Sequence, residues 1–542
     1  MKRCLIGLVF WCSIAVAGMA QTTTQTSSNT EASELTVMAW NIWRGGREDG
    51  EDIGPARVID VIRDSDVDIV AMQETYGSGE LIADALGYHL HSRGTNVSIH
   101  SRFSIFEDIS VHAAFKCVGA ILELPDGSRL AFYSIWLPYS GEIWEAGTRD
   151  SSQPRKMLAA CEASAIDLNA MWSAIEARLS ATAYVDVPII IAGDFNSMSH
   201  LDYGEVGWDQ YHAVVDWPTS HILTQQGFVD TYRVLNPVID RARDATWTPR
   251  FPTQEQDRID FIYARAPAWR VAASHVIRQH AIQFPSDHTA VVTTLERSPT
   301  SVSTDHGIRA ASYNIRHGAG MDGRIDLDRT AAVLASLNAD IIGLQEVDLR
   351  ATRSGGVNQV NVLAQRLGMH PAYGSFMDFQ GGRYGMAMLS RYPIVKVTPL
   401  RLPNGNEPRI ALCVDVRLPD GQVVQVVNVH FDWVEDDAFR FAQAKIVTAH
   451  VRDHNGPCIL LGDFNDQPGS RTMRLFDGIA GEADKPAEQR LTFPSDDPSI
   501  EIDFVYCTPA ARWAVGSVAV IDEAVASDHR PVVVDLTLRP AE

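Results

Sequence analysis

Two short stretches of the chain carry the same four residues behind the same kind of apolar run. "VPIIIAGDFNS" occupies residues 187–197, and "PCILLGDFND" occupies residues 457–466. An aliphatic run that gives way to Gly, Asp and Asn is typical of a buried strand that ends in a turn. An isolated Asp at such a place commonly serves only to form that turn. The recurrence of the whole stretch therefore calls for a comparison of the two halves of the chain.

The two halves carry seven matching blocks in the same order, from "LTVMAWN" to "SDHTAVV" in the first and from "IRAASYN" to "SDHRPVV" in the second. Spacing is nearly the same around the polar residues that end the blocks: Asn41 to Glu74 is 33 positions and Asn314 to Glu346 is 32, whereas Asp260 to Asp287 is 27 and Asp503 to Asp528 is 25. One interval differs, because Asp194 to Asp260 is 66 positions and Asp463 to Asp503 is 40. The sequence therefore predicts a tandem duplication whose first copy holds an extra loop.

The fold class follows from the way these blocks alternate with helical patterns. Each block is a short run of β-branched residues, and amphipathic stretches such as 57–68 and 329–340 lie between them. Repeated strands with helical crossovers predict two sheets packed face to face with helices outside. We therefore expect an α/β protein of two consecutive four-layer α/β/β/α sandwich domains, at residues 34–296 and 308–542. The polar stretch 297–307 is predicted to link them.

The first residues have the order of an export signal. Lys2 and Arg3 precede an apolar run over residues 4–17, and small residues follow it. This order predicts a cleavable signal peptide over residues 1–20 and an exported, periplasmic or extracellular protein. A membrane anchor is the weaker alternative, because the run is shorter than the ~20 apolar residues that a span needs. Residues 21–33 are rich in Ser, Thr and Gln and predict a flexible lead-in, and no later stretch predicts a transmembrane segment.

Composition limits the class of partner. The formal net charge is -22 over 542 residues, of which 45% are hydrophobic. An acidic surface repels polyphosphate chains, so tight non-specific binding of nucleic acid is disfavoured, although cleavage of nucleic acid is not excluded. The sparse cysteines show no spacing typical of a zinc site.

The block ends of the second half supply acidic, amide and imidazole side chains: Asn314, Glu346, His430, Asp463, Asn465, Asp503, Asp528 and His529. Carboxylates gathered at one sheet edge would repel one another unless a cation offset them, and oxygen donors suit Mg²⁺ or Mn²⁺. Asp503 and His529 form a plausible carboxylate–imidazole pair, Asp463 can accept a proton, and Asn465 can donate to a charged oxygen. This set predicts metal-assisted hydrolysis of a phosphate ester.

The ordered motifs "YNIR", "LQEV", "VNVHFD", "GDFN", "IDFVY" and "SDHRPV" resemble the endonuclease/exonuclease/phosphatase superfamily, whose members cleave nucleic acids and other phosphate esters. The resemblance implies that Glu346 is the principal metal ligand, helped by Asn314, and that Asp528 approaches the metal. It implies that Asp463 activates the attacking water and that Asn465 holds a phosphate oxygen. His529, paired with Asp503, would complete the acid/base machinery, and His430 would donate to the phosphate.

By the same resemblance, the first copy would place its metal ligands at Asn41, Glu74 and Asp287 and its catalytic residues at Asp194, Asn196, Asp260 and His288. One position departs from the pattern, because Trp136 stands where the second copy has His430. An indole can donate one hydrogen bond but cannot carry a proton. The sequence therefore favours a phosphodiesterase whose second copy is the surer catalyst. It leaves open an extracellular nuclease and a first domain that binds without turnover.

Overall fold

The computed structural model describes residues 34–139, 143–144, 153–181, 183–297 and 306–539. The predicted signal peptide over 1–20 and the lead-in over 21–33 lie outside the described residues. So do residues 298–305 of the predicted linker, whereas Arg297 and His306 end and begin strands.

The part of the chain before residue 298 contains strands β1 to β12 and helices α1 to α8. The strands are β1 (Glu34–Asn41), β2 (Ile69–Gln73), β3 (His89–Ser92), β4 (Ser98–Ser101), β5 (Ser104–Asp108), β6 (Cys117–Glu123), β7 (Arg129–Trp136), β8 (Ile189–Asp194), β9 (Val229–Asp230), β10 (Asp260–Arg265), β11 (Trp269–Ile277) and β12 (Ala290–Arg297). The helices are α1 (Ile53–Asp64), α2 (Gly79–Leu86), α3 (Pro154–Ala160), α4 (Glu162–Ser180), α5 (Trp208–Tyr211), α6 (Pro218–Gln225), α7 (Thr231–Leu235) and α8 (Arg241–Asp244).

The part from residue 306 onwards repeats this order with strands β13 to β24 and helices α9 to α12. The strands are β13 (His306–Asn314), β14 (Ile341–Leu349), β15 (His370–Phe379), β16 (Gly382–Ser390), β17 (Ile394–Arg401), β18 (Ile410–Arg417), β19 (Val423–His430), β20 (Cys458–Asp463), β21 (Gly481–Glu482), β22 (Asp503–Thr508), β23 (Trp513–Val520) and β24 (Val532–Leu538). The helices are α9 (Leu327–Ser336), α10 (Gln359–Leu367), α11 (Ala438–Asp453) and α12 (Met473–Asp477). Within the described chain, no helix has the length and apolar character that a membrane span requires.

Each half contains two six-stranded mixed sheets. The strand orders are β11-β12-β1-β2-β4-β3 and β5-β6-β7-β8-β10-β9 in the first half, and β15-β16-β14-β13-β24-β23 and β17-β18-β19-β20-β22-β21 in the second. The parallel pairs occupy the same places in both halves, since β1 pairs with β2 as β13 pairs with β14, and β7 pairs with β8 as β19 pairs with β20. The duplication predicted from the sequence is thus present in the topology.

The apolar side chains form separate layers, as the predicted sandwich requires. In the first half one cluster lies between the sheets, a second joins α1 to the outer face of β1 and β2, and a third joins α4 to β7 and β8. In the second half the corresponding clusters lie between the sheets and beneath α11. Burial of these faces is the main stabilising contribution to such a fold. The prediction of two α/β/β/α sandwich domains is confirmed.

The outer layer of the second domain is shared with the first domain. α9 and α10 of the second domain belong to one continuous apolar cluster with residues from the long β8–β10 connection of the first domain, including Tyr203, Val206 and Trp217. The extra residues of the first copy therefore pack against the second copy.

Candidate catalytic sites

The "GDFN" motif forms a turn that needs its glycine and uses both oxygens of its aspartate. Gly462 has φ +145°, and a Cβ there would lie 2.1 Å from the carbonyl oxygen of Val429 on the neighbouring strand. Asp463 then accepts the backbone N–H of Asn465 through Oδ1 at 2.9 Å. One carboxylate oxygen thus forms the expected turn, which leaves Oδ2 to face the site.

The second-domain site is centred on Oδ2 of Asp463. Asn314 donates through Nδ2 to this oxygen at 3.2 Å, and Nε2 of His430 and of His529 lie 3.5 and 3.6 Å from it. His529 Nδ1 lies 3.0 Å from Oδ2 of Asp503. These residues come from four strand ends and one loop. The catalytic set predicted for this half is thereby brought together.

Glu346 lies at a break in the strand rather than at its end. β14 continues to Leu349, but its register with β16 shifts between Leu344 and Val347, and Glu346 has φ +56°. A positive φ is strained for a non-glycine residue and is found mostly where surrounding contacts hold it. The shift brings Glu346 Oε1 within 3.2 Å of Asn314 Nδ2. The sequence predicted the position of Glu346 but not the bulge that presents it.

The donor set suits a hard divalent cation. Glu346, Asp463 and Asp528 carry carboxylates at one edge, and the amide nitrogen of Asn314 bridges the first two. Burial raises the pKa of Glu346, and the charge of Asp528 raises it as well. Asp463, Asp503 and His529 also present ligand atoms within 4.8 Å of one another. Oxygen donors of this kind suit a hard divalent cation.

The charge states of the site follow from burial and pairing. Burial raises the pKa of Asp463 to about 7, which suits a group that exchanges protons near neutral pH. Burial alone would lower the pKa of His529, but the carboxylates of Asp503 and Asp463 outweigh it and raise that pKa to about 10. The two carboxylates therefore favour the protonated form of His529.

His430 is neutral, and its tautomer is fixed by a neighbour. Burial and the charge of Arg409 hold the pKa of His430 well below its usual range. Arg409 Nη1 lies 3.4 Å from His430 Nδ1, and a guanidinium can only donate. Nδ1 is therefore the acceptor, so the ring proton is on Nε2, on the side that faces Asp463.

Arg409 is the functional candidate that sequence reasoning missed. It is 2% exposed, lines the second-domain cleft and pairs with Glu407 at 3.1 Å. The cleft measures about 560 Å³ and is also lined by Tyr384, Trp433 and Phe493. In the sequence, Arg409 is marked only by its place directly before the apolar run of "NEPRIALCV", which predicts a buried strand.

The first-domain site repeats most of this geometry. Asn41 Nδ2 donates to Asp194 Oδ2 at 3.0 Å and to Glu74 Oε1 at 3.3 Å. Asn196 N donates to Asp194 Oδ1 at 2.9 Å, and His288 Nδ1 lies 2.9 Å from Asp260 Oδ2. Burial raises the pKa of Asp287, next to this cluster, to about 6. All seven predicted residues of the first copy thus lie at the equivalent strand ends and loop.

Two departures separate the first site from the second. Trp136 pairs with Asp194 as His430 pairs with Asp463, and one strand further along Phe115 occupies the position of Arg409. The Phe115 and Trp136 rings pack edge to face at 5.6 Å. The second domain therefore has an arginine–histidine pair, Arg409 and His430, where the first domain has an aromatic pair, Phe115 and Trp136.

The first site is also more enclosed than the second. Asn196 and Asp287 are each 5% exposed, whereas Asn465 and Asp528 are half-buried. The ring of Trp247 lies 5.0 Å from that of His288, and Trp144 packs on Trp247 at 6.1 Å. Phe493 lies against His529 at the same 5.0 Å in the second domain, and among the described residues Trp144 adds a further ring beside the first site.

Comparison with known proteins gives the same division into two copies. The sequence profile described as the endonuclease/exonuclease/phosphatase family matches residues 38–288 and again 311–529. An uncharacterized protein of Caenorhabditis elegans is 25% identical over 299 residues, which are 49% of this chain and 92% of that protein. The uncharacterized protein YbhP of Escherichia coli K12 is 26% identical over 248 residues, 42% of this chain and 96% of YbhP.

Among solved structures, an endonuclease/exonuclease/phosphatase from Beutenbergia cavernae has 25% sequence identity and a TM-score of 0.37. The match covers 43% of this chain and 72% of that protein.

Proposed function

Because the chain belongs to the endonuclease/exonuclease/phosphatase family, whose members are metal-dependent hydrolases of phosphate esters, we propose that it is an exported phosphodiesterase in which the second domain carries the turnover. The observation that supports this most directly is the convergence of Asn314, His430 and His529 on one oxygen of Asp463, at the base of an open cleft.

The residues of the second cleft divide the chemistry as follows. Asp463 orients the attacking water and takes its proton, because its raised pKa lies close to neutral. His529, held by Asp503, stabilises negative charge and can return a proton to the leaving group. Asn465 uses one amide hydrogen on the carbonyl of Phe431 and offers the other to a phosphate oxygen.

His430 and Arg409 are proposed to act together on the second face of the phosphate. The Nε2–H of His430 points toward Asp463, and Arg409 fixes that tautomer while adding positive charge. Such donors are most effective where charge develops in the transition state. A divalent cation held by Glu346, Asp528 and Asn314 would supply Lewis acidity toward the phosphate.

The charge balance of the cleft favours a diester over a monoester. Arg409 is paired with Glu407, and Arg440 with Asp466 at 3.1 Å, so neither guanidinium is left uncompensated. A monoester dianion brings more charge into a site already rich in carboxylates than a singly charged diester does. The exposed ring of Trp433 at the rim can contact a substituent on the far side of the phosphate.

The test compares bis-p-nitrophenyl phosphate with p-nitrophenyl phosphate, with Mg²⁺ or Mn²⁺ added to metal-free protein. We expect metal-dependent hydrolysis with the higher kcat/KM on the diester, abolished by Asp463→Ala and largely kept by the matched first-domain change Asp194→Ala. A higher kcat/KM on the monoester would overturn the diester assignment. Single- and double-stranded DNA and RNA test the nuclease alternative, which the net charge of -22 disfavours. Export is checked by expressing the full chain in a bacterial host and measuring the mass of the protein recovered outside the cytoplasm, which should correspond to a chain that begins at Gln21.

A second candidate role concerns the first domain, which would bind a phosphate ester without hydrolysing it. The observation that favours it is the replacement of the arginine–histidine pair by Phe115 and Trp136. Isothermal titration of a non-hydrolysable phosphonate diester onto the Asp463→Ala protein would detect such binding. Turnover that persists in Asp463→Ala and disappears on adding Asp194→Ala would instead assign catalysis to the first domain.

A further inference from the structure

The long β8–β10 connection of the first domain, residues 195–259, reaches the second domain close to its site. This connection accounts for the interval of 66 positions against 40 in the second copy. Besides its apolar packing on α9 and α10, two groups of its polar contacts lie on the loop 350–358 that follows β14 and on the paired strands β15 and β16.

The loop contact is centred on Asp209. Its carboxylate, 5% exposed, accepts from Arg350 Nη2 at 2.8 Å and Nε at 3.2 Å, and from Asn358 Nδ2 at 3.2 Å. Asn358 also donates to the carbonyl of Val206 at 3.2 Å. Arg350 itself has φ +62°, a strained conformation four residues beyond Glu346. One carboxylate of the first domain thus holds both ends of a strained loop of the second.

The strand contact is centred on Glu205 and Trp208. The Glu205 carboxylate accepts the backbone N–H of Ser375 at 2.7 Å, at the point where β15 slips out of register with β16. β15 is an edge strand of its sheet, and Glu205 supplies an acceptor for this backbone N–H. Arg383 of β16 lies 3.6 Å from Glu205 and stacks over the Trp208 ring at 4.8 Å.

Both contacts lie on segments that adjoin Glu346, the carboxylate expected to bind metal. β14 pairs with β16 through Asp348 and Tyr384, two residues from Glu346. Asp348 is fully buried and bound by both Nε and Nη2 of Arg353 at 2.8 Å, and Arg353 stacks on Tyr384 at 4.7 Å. Tyr384 lines the cleft beside Glu346. The first domain therefore contacts the same loop 350–358 and the same strands, β15 and β16, that pack around Glu346 and fix its position.

We infer that the β8–β10 connection of the first domain is a structural part of the second-domain metal site, in which Asp209 and Glu205 are positioning residues for Glu346. The inference rests on the proposed function only in taking Glu346 as a metal ligand. It explains why the first copy keeps a long insertion at this place: its partner is the second copy of the same fold. Groups that fix the orientation of a ligand tune the affinity of a metal site, and Asp209 and Glu205 would do so through the loop 350–358 and the strands β15 and β16 rather than by touching Glu346.

The test measures Mn²⁺ binding to the full chain by electron paramagnetic resonance, in a Glu74→Gln background that disables the first site. We expect Asp209→Ala and Glu205→Ala each to weaken Mn²⁺ binding about tenfold, the lower end of the effect of such outer contacts. Glu205→Gln keeps an acceptor for the Ser375 N–H and should restore most of the affinity. The matched control is Asp535→Ala, which removes an equivalent arginine partner, Arg309 at 2.6 Å, at the opposite end of the same sheet.

The possible results distinguish failure of the inference from failure of the proposed function. Unchanged Mn²⁺ affinity in folded Asp209→Ala and Glu205→Ala proteins would overturn the inference and leave the function standing. Weakened binding in these variants, with no phosphodiester hydrolysed by the unmodified protein, would sustain the inference and overturn the function. Absence of Mn²⁺ binding in the Glu74→Gln protein itself would overturn both.

Discussion

Replacement of Arg409 by glutamine removes one positive charge from the second cleft while keeping much of the side-chain volume. Arg409 contacts His430 Nδ1 at 3.4 Å and Glu407 at 3.1 Å, and its guanidinium lies 5.0 Å from the ring of Phe376. Loss of the charge leaves His430 free to place its proton on either nitrogen. The variant therefore loses a charged donor and the tautomer that points Nε2–H into the site.

The size of the effect can be bounded from these contacts. A hydrogen bond that involves a charged group contributes about 1.5–3 kcal/mol, and each ~1.4 kcal/mol changes a rate tenfold. We therefore expect kcat/KM for bis-p-nitrophenyl phosphate to fall by about 10- to 100-fold in Arg409→Gln. Arg409→Lys keeps the charge but not the planar fork, so its kcat/KM should lie between those of the unmodified protein and of Arg409→Gln.

The assay is steady-state hydrolysis with saturating Mn²⁺, and Arg391→Gln, a change of an exposed arginine outside the cleft, is the control. A double-mutant cycle with His430→Asn should show coupling of about 1 kcal/mol or more, because the two groups act as one unit. Strict additivity, or an Arg409→Gln protein that keeps more than half of its kcat/KM, would refute the reasoning.

Three further outcomes follow from the same geometry. His529→Ala should lower kcat by about 10² or more, because its role is acid/base chemistry; full activity of that variant would contradict the assignment. Phe115→Arg combined with Trp136→His should raise hydrolysis by an Asp463→Ala protein, whereas a silent double variant would show that the enclosed first site lacks more than these two groups. Burial lowers the pKa of His100 to about 4, so its neutral form stabilises the fold above pH 6.5 and that stability is lost as pH falls toward 4. The difference in unfolding free energy between the unmodified protein and His100→Gln should change by about 3 kcal/mol over this range. If urea unfolding gave the same difference at pH 6.5 and at pH 4, the burial argument would be wrong.

The fold and the strand-end residues could be predicted because both depend on local pattern. Each strand is a short aliphatic run, each crossover has helical periodicity, and a strand end fixes where the next polar side chain lies. Asp463 and His529 are far apart in sequence, yet the strand pattern places them at the same edge of the sandwich. The repeat supports each strand assignment independently, because a chance pattern does not recur seven times in the same order.

The residues that could not be predicted are those whose role depends on packing between distant elements. Arg409 contacts His430 on the adjacent strand, and the first copy has the uncharged Phe115 at the equivalent position. Asp209 acts across 141 positions of sequence on Arg350, through the docking of one domain on another. The bulge at Glu346 is likewise invisible in a run of residues that continues as a strand on both sides.

Retention of the acidic and amide residues in the first copy is weak evidence that it is catalytic, because these residues also hold the fold. Asp194 closes the turn at Asn196, and Asn41 links the two sheets by donating to Asp194. Replacing either would leave buried polar groups without partners, at a cost of about 1–3 kcal/mol each. Selection for folding alone would therefore keep them. The positions at which the two sites differ are those of Arg409 and His430, which Phe115 and Trp136 occupy in the first copy. An aromatic pair satisfies the packing requirement at that strand end and supplies neither charge nor a mobile proton, so the divergence of the copies lies in chemistry rather than in architecture.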